Sequence, residues 1–282
     1  MIIDAHQHFW DPARADYPWM DAAELAPIRR AFGPADLAPL LKANGVDASI
    51  LVQCRSSLEE TEEFLRLASE TPFIAGVVGW ADLTDGALDE TLDRLRGLPG
   101  GARLVGIRHQ VHDEADPDWL LREDVQRGLA AVFARDLAYD LLVRTRELSA
   151  AIATAQAFPH ARFVLDHAAK PPIAEGFSRD WADRLAALAA SGNVWCKISG
   201  LATEAAWDDW DAERLRPVVE HAAKCFGEDR LIFGSDWPVC LLAGSYGDIK
   251  RALEDCLMKL GPSARDKAFG MNARAAYRLA VT

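Results

Sequence analysis

The chain has 282 residues, of which 50% are apolar and 26% are charged, and its formal net charge is −12. This length and composition suit one enzyme-sized domain with a large core, and no shift in composition marks a second domain. The acidic balance argues against a nucleic-acid partner, because a phosphate backbone requires a basic face. No stretch approaches the roughly 18 consecutive apolar residues of a membrane span, and no signal segment precedes the first strand, so we predict a cytoplasmic protein.

The cysteines are odd in number and never stand in a Cys-x-x-Cys spacing. Neither a disulfide framework nor a zinc knuckle is therefore indicated, and we expect the thiols to be small buried hydrophobes. The five cysteines are Cys54, Cys196, Cys225, Cys240 and Cys256.

The first predicted strand, residues 2–8, ends in two histidines. Side chains alternate along a strand, so His6 and His8 point to one side while Gln7 points to the other. Polar groups at the C-terminal end of an apolar strand are typical of a parallel (β/α)8 barrel, which builds its active site from the loops at those ends.

A second polar strand end lies late in the chain. Residues 230–238 form a short apolar run that ends in Asp236 and is stopped by Pro238. The first and last strands of a closed barrel are neighbours. We therefore expect Asp236 to face His6 and His8, although 230 positions separate it from His6.

Between these two strands, apolar runs and helical patterns alternate. The 9–33 connection is long and rich in aromatic residues, which is typical of a functional loop or of an aromatic cap over the barrel. One helix is indicated by an initial proline and a following glycine, and another by a capping box at Ser57. Strands are predicted at 2–8, 47–54, 73–80, 103–109, 139–144, 162–166, 193–199 and 230–238. Helices are predicted at 34–44, 57–70, 88–96, 124–138, 146–157, 181–190 and 213–226, with two more after the last strand.

Eight strands, each followed by a helix of roughly 10–15 residues, are the pattern of parallel βαβ units. We therefore predict an α/β fold, a single (β/α)8 TIM barrel over residues 1–282 with extra C-terminal helices. The 110–123 loop, which contains His112, should lie over the same end of the barrel as the 9–33 loop.

Polar residues follow the C-terminal ends of most predicted strands. A lone histidine or arginine is more often structural than catalytic, but the joint placement of these residues indicates a functional pocket. We give His160 and His221 no role, because they fall before or within helices. The candidates are His6, His8, Arg55, Trp80, Arg108, His109, His167, Lys170, Lys197 and Asp236.

Three segments carry a resemblance to a known family. Residues 3–10, residues 165–167 with the following Lys170 and Pro171, and residues 233–238 together resemble the amidohydrolase superfamily, over nearly the whole chain. Within it, the chain is most similar to the sugar-lactone hydrolase branch, which includes the L-fuconolactonases. The resemblance implies a barrel enzyme that opens a small sugar lactone to its aldonic acid.

The superfamily usually holds one or two divalent metals through its His-x-His pair, histidines on the fifth and sixth strands and the late aspartate. This sequence departs from that pattern, because residues 139–144 contain no histidine and the fourth strand ends in Arg108 and His109. Some members of the branch work without a metal. We therefore expect that no cofactor is required, with weak or adventitious zinc binding at His6, His8 and Asp236.

An ester can be opened by a positioned water and charge stabilisation, and we expect Asp236 to be the general base. We expect His6, His8 and His167 to hold the water and to tune Asp236. Substrate contacts are expected from Lys170 and from two groups of side chains. Arg55, Arg108, His109 and Lys197, which we leave unranked, would polarise the carbonyl or bind hydroxyls. Trp80 and Trp237 would stack on the sugar ring, with core packing an equal alternative for Trp237.

Two other functions remain open at this point. A zinc-dependent decarboxylase, or another amidohydrolase acting on a small carboxylic acid, would bind zinc tightly and lose activity on chelation. A non-catalytic barrel would bind a ligand without turnover, since a fold does not determine a function. The sequence leaves the identity of the lactone, its ring size and the oligomeric state undetermined.

Overall fold

In the computed structural model, which describes residues 1–280, eight parallel strands form one sheet in sequence order. The last two positions of the predicted domain lie outside the described residues. Every strand pairs with its sequence neighbours in parallel, as the βαβ pattern predicted. The strands are β1 Ile3–Gln7, β2 Ala48–Val52, β3 Ile74–Gly79, β4 Leu104–His109, β5 Ala138–Leu141, β6 Phe163–Leu165, β7 Val194–Lys197 and β8 Leu231–Ile232.

The barrel closes where β1 meets the segment that follows β8. The backbone N–H of Ala5 donates to the carbonyl of Phe233 at 3.0 Å, and that of His8 donates to Trp237 at 2.7 Å. In return, the N–H of Asp236 donates to the carbonyl of His6 at 2.8 Å. The predicted (β/α)8 barrel is thereby confirmed, and Asp236 is brought beside the end of the first strand.

Helices connect the strands over the outside of the barrel. The predicted helix at 124–138 is too long, because the chain turns at Asp136, whose φ of 58° is left-handed, before β5 begins. The helices are α1 Pro34–Ala43, α2 Leu58–Glu70, α3 Leu88–Gly97, α4 Glu123–Ala134, α5 Leu148–Ala157, α6 Arg179–Ala189, α7 Ala212–Phe226, α8 Tyr246–Met258, α9 Pro262–Asp266 and α10 Asn272–Tyr277.

Only half of the predicted capping box forms at the start of α2. The Ser57 hydroxyl accepts from the backbone N–H of Glu60 at 3.2 Å, as an N-cap should. The Glu60 carboxylate turns away and accepts from the N–H groups of Cys54 and Arg55, at 2.7 and 3.0 Å. Glu60 therefore fixes the turn that follows β2.

Within the described residues, three helices follow the last strand, rather than the predicted two. The last of them, α10, packs its Ala273, Ala276 and Tyr277 against the apolar side chains inside the barrel, such as Ile50 and Val164. Its Tyr277 hydroxyl donates to the Asp140 carboxylate at 2.7 Å. The C-terminal helix therefore fills the barrel interior beneath the polar strand ends.

Within residues 1–280, no helix is long and apolar enough to cross a membrane. The five cysteines are all free, and all but the half-buried Cys225 are buried, as their spacing predicted.

Candidate active site

A cavity of about 150 Å³ lies at the C-terminal ends of the strands. Five of the candidates from the sequence line it, and the rest of its wall comes mainly from the loops that follow β1, β2 and β4. The candidates are His8, Arg108, His167, Lys170 and Asp236. The other lining residues are Trp19, Cys54, Gln110, His112, Asp113, Leu142 and Val239.

The first-strand histidines and the late aspartate meet, as the closed barrel predicted. The Oδ1 atom of Asp236 lies 3.4 Å from Nε2 of His8 and 3.7 Å from Nε2 of His6. The two Nε2 atoms are 3.1 Å apart. Asp236 lines the cavity but is only 4% exposed, so little of this residue is open to solvent.

His167 joins this cluster from the end of β6 through an unusual backbone. Residues 167–170 have φ between 49° and 62°, a left-handed run without glycine that is costly for ordinary residues. The turn places the His167 ring 4.5 Å from that of His6, between centroids, and His167 Nδ1 lies 2.9 Å from the Ser199 hydroxyl. The same turn brings Lys170 to the cavity, where it pairs with Glu204 at 2.8 Å.

A glycine after β7 makes room for the cluster. A Cβ atom at Gly200 would lie 2.6 Å from His167 Nδ1 and 3.0 Å from Asp236 Oδ2, and its φ of 61° is also left-handed. Only glycine fits this position without displacing one of the two side chains. Sequence reasoning missed Gly200, and its place directly after the polar end of β7 is the signal that could have found it.

The ionisation of the cluster follows from burial and from neighbouring groups. Burial acts to raise the pKa of Asp236, but the three surrounding histidines outweigh it, and the pKa lies below the ordinary value. Burial lowers the pKa of His167 to about 4 and that of His6 well below its ordinary value. At neutral pH, Asp236 is therefore an anion beside neutral imidazoles of His6 and His167.

Arg108 is nearly buried and reaches the cavity from β4. Its Nε donates to the Gln53 side chain at 2.9 Å, and Nη2 donates to the Gln53 carbonyl. Its Nη1 donates to Asp166 at 2.9 Å and lies 3.3 Å from Nε2 of His6. The guanidinium is thus a fixed positive group in the cavity wall.

Lys197 is fully buried and does not line the cavity. Its Nζ lies 2.6 Å from Asp140, 2.9 Å from Asp166 and 3.1 Å from Nδ1 of His6. Burial raises the pKa of Asp140 to about 6, whereas Lys197 and His6 outweigh burial at Asp166 and hold its pKa well below the ordinary value. Asp140 and Asp166 were not predicted as site residues. Both pair with Lys197 beneath the cavity, and Asp166 also contacts His6.

Besides the buried His6 and Lys197, four more candidates do not line this cavity. Trp80 donates its indole N–H to His109 Nδ1 at 3.0 Å, and the His109 ring stacks on Trp119 with centroids 4.3 Å apart. Arg55 lies in a separate groove beside Glu60, at 3.4 Å. Trp237 is 1% exposed and packs edge-on against Phe9 and Phe32.

Seven lining residues were not predicted as site residues, and four of them come from the two long loops. Trp19 belongs to the 9–33 loop, and Gln110, His112 and Asp113 belong to the 110–123 loop. Loop length predicted that both segments lie over the site, and aromatic content was a further reason for the 9–33 loop only. Neither property tells which side chain turns inward, since an irregular loop has no periodicity.

The donor set also fits a zinc ion. Ligand atoms of His6, His167 and Asp236 lie within 4.8 Å of one another, and all three residues are buried. Imidazole nitrogens and a carboxylate oxygen are donors that zinc takes at sites with an open position. The sequence predicted His6, His8 and Asp236 as the zinc ligands. The structure brings His6 and Asp236 together with His167 instead of His8.

A parallel barrel that gathers imidazoles, a carboxylate and a guanidinium at the C-terminal ends of its strands has the architecture of a (β/α)8-barrel enzyme with its active site at that end. A family model described as Amidohydrolase matches residues 3–279. The chain belongs to this amidohydrolase family, and it is a hydrolase.

Individual relatives share almost the full length of the chain. An L-fucono-1,5-lactonase from Burkholderia ambifaria is 45% identical, over 98% of this chain and 95% of that protein. An L-fucono-1,5-lactonase from Burkholderia multivorans is 40% identical, over 98% of this chain and 96% of that protein. A crystal structure of an amidohydrolase from Burkholderia multivorans with bound Zn superposes with a TM-score of 0.94, at 39% identity and 99% coverage of both chains.

Proposed function

We propose that this chain hydrolyses a sugar lactone to the aldonic acid, with L-fucono-lactone as its substrate and a place in L-fucose-type sugar catabolism. The observation that carries this proposal is the ionised Asp236 among three histidines, facing a cavity that also holds a fixed guanidinium. The two relatives named as L-fucono-1,5-lactonases support the choice of lactone.

Asp236 is proposed as the general base. Its carboxylate accepts a proton from a water molecule while the water oxygen attacks the lactone carbonyl carbon. The carbonyl π electrons move to the carbonyl oxygen, which gives a tetrahedral intermediate. When the carbonyl re-forms, the bond to the ring oxygen breaks and Asp236 returns the proton to that oxygen. The product is an open-chain hydroxy acid, so atoms and charge balance.

Arg108 is proposed to stabilise the oxyanion of the intermediate. It lines the cavity and is held by Gln53 and Asp166, so its charge needs no reorganisation during the reaction. Lys170, at the cavity wall beside Glu204, is proposed to bind substrate hydroxyls. His8 and His167 are proposed to orient the water at Asp236.

We propose that these residues act without a required metal. If zinc binds, His6, His167 and Asp236 would hold it, with His8 beside them. A bound zinc ion would supply Lewis-acid polarisation and a more acidic water. An ester with a good positioned base needs less assistance than an amide, and Arg108 already provides positive charge in the cavity wall.

A lactone panel tests the proposal directly. Acid release from L-fucono-, L-rhamnono- and other sugar lactones is followed with a pH indicator, before and after chelation and metal analysis. Fast, chelator-insensitive release from one or a few lactones is expected. If activity is lost on chelation and restored by zinc, the metal-independent mechanism is wrong. If no lactone is opened by protein with a full zinc complement, the lactonase function is wrong.

A further inference from the structure

Both of the permanent cations that line the catalytic cavity are paired with carboxylates. Besides histidines, the charged lining residues are Arg108, Asp113, Lys170 and Asp236. Arg108 Nη1 donates to Asp166 at 2.9 Å, and Lys170 Nζ donates to Glu204 at 2.8 Å. The Asp236 carboxylate has histidine neighbours instead of a lysine or arginine among the described residues. The described cavity wall therefore offers a ligand no positive charge that is free of a carboxylate.

The Lys170–Glu204 pair lies at the edge of the cavity and is largely shielded from solvent. The Lys170 side chain is 20% exposed, and that of Glu204 is 14% exposed. Glu204 ends a short turn, Ala202–Glu204, that follows β7, and its backbone N–H donates to the carbonyl of Leu201 at 3.2 Å. Water and salt screen a partly buried ion pair less than an exposed one. The negative charge of Glu204 is therefore held in a fixed place beside Lys170.

Two further charged groups lie at the same edge. Arg144, which follows β5, has its Nη1 atom 3.7 Å from Oε2 of Glu204. The hydrogen bond from His112 and the charges of Arg144 and Lys170 lower the pKa of Asp113. Asp113 is therefore an anion at neutral pH, and the two cations at this edge are matched by two carboxylates.

This balance of charge favours neutral ligands over anions. An ammonium group has three protons, so Lys170 can donate to hydroxyl groups while it remains paired with Glu204. A ligand carboxylate would compete with Glu204 for the same charge, and it would also be repelled by Asp236. A sugar lactone is neutral, whereas the acid formed by its hydrolysis is ionised at neutral pH.

We propose that Glu204 is a positioning residue that neutralises Lys170 and thereby restricts the site to uncharged, hydroxyl-rich ligands. Lactones that carry a carboxylate are rejected. The aldonate product, which gains a carboxylate on hydrolysis, binds weakly and leaves the cavity. This inference rests on the proposed function, because it takes a lactone and its acid as the ligands of the cavity.

Calorimetric titration with two ligands tests the inference without turnover. L-Fuconate is the acid that the proposed reaction forms, and L-fucitol has an alcohol where L-fuconate has its carboxylate. All proteins are treated with a chelator, since a bound cation would itself attract L-fuconate. We expect the wild type to bind L-fuconate no more tightly than L-fucitol. Tighter binding of L-fuconate would overturn the inference, and this comparison needs no variant to fold.

Glu204→Gln tests whether the charge of Glu204 sets this preference. The amide keeps the shape of the side chain but leaves the charge of Lys170 without its counterion. The Kd for L-fuconate should fall at least about fivefold, whereas that for neutral L-fucitol should stay within about twofold. Adding Lys170→Met to Glu204→Gln should remove the gain. Unchanged or absent binding of L-fuconate in Glu204→Gln would contradict the inference, as would a gain that persists without Lys170.

Glu228→Gln is the matched control. Glu228 pairs with Lys267 at 2.6 Å on the protein surface, so the same substitution there changes the net charge equally. The Kd for L-fuconate should stay within about twofold of wild type, because an exposed pair has little effect at a distance. Equal tightening in Glu228→Gln and Glu204→Gln would show an effect of net charge alone and overturn the inference. The lactone panel decides the proposed function separately, since these Kd values require no lactone to be opened.

Discussion

Two hydrogen bonds join Ser235 to Asp4, although the residues are 231 positions apart in the chain. The Ser235 backbone N–H donates to Asp4 Oδ1 at 2.8 Å, and the Ser235 hydroxyl donates to Oδ2 at 2.6 Å. The Tyr246 hydroxyl donates to the same carboxylate at 3.0 Å. This buried carboxylate therefore fixes the residue that precedes Asp236, whose own φ of 58° is left-handed.

Asp4→Asn should destabilise the protein and misplace the base. The amide replaces one carboxylate oxygen with a donor, so a donor from Ser235 or Tyr246 loses its acceptor in the core. We expect a loss of about 1–3 kcal/mol in the free energy of unfolding, measured by chemical denaturation, together with a lower kcat. Asp21→Asn, at an exposed position, is the matched control and should stay within about 0.5 kcal/mol of wild type.

Asp236→Asn should abolish lactone hydrolysis while the fold remains intact. The amide cannot accept the proton of water, and a positioned base contributes about 10²–10⁴-fold to the rate. The initial rate of acid release measures the loss, and circular dichroism checks the fold. Turnover close to that of the wild type would remove Asp236 from the mechanism.

The pH dependence of kcat/KM should reflect the lowered pKa of His167. Because burial lowers this pKa to about 4, the ring stays neutral as the pH falls from 7 to about 5. Below about 4 it becomes a cation beside Asp236 and pairs with the base. We expect a level profile that falls only near the acid limit, measured by direct detection of the product. A fall centred near the usual histidine value of about 6.5 would contradict this expectation.

Arg108→Met should lower kcat by about 10²–10³-fold, the usual effect of losing one oxyanion donor. Arg108→Lys keeps the charge but loses the planar fork that holds Gln53 and Asp166, so we expect an intermediate rate. Steady-state kinetics on the best lactone measures both variants. Full activity in Arg108→Met would assign the oxyanion contact to another group.

Trp80→Phe tests whether Trp80 has a structural role or contacts the substrate. The change removes the hydrogen bond to His109, so we expect a stability loss of about 1 kcal/mol and a KM within about twofold of wild type. Trp19→Phe is the comparison, because Trp19 lines the cavity, and we expect its KM to rise. A larger rise of KM in Trp80→Phe than in Trp19→Phe would place Trp80 against the substrate.

The sequence by itself determined the barrel and the meeting of its two ends. Short apolar runs that alternate with helices are local patterns, and a closed parallel barrel makes the first and last strands neighbours. That rule was enough to bring Asp236 to His6 and His8.

Only the tertiary structure decided which polar side chains face the cavity. Lys197 ends a strand, as Arg108 does, yet it turns into the barrel core because Asp140 and Asp166 are there to pair with it. Trp80 turns to His109, whereas His112 enters the cavity wall from an irregular loop. The direction of each side chain depends on charge pairing and packing between segments that are distant in the chain. The local sequence pattern contains no information on these contacts.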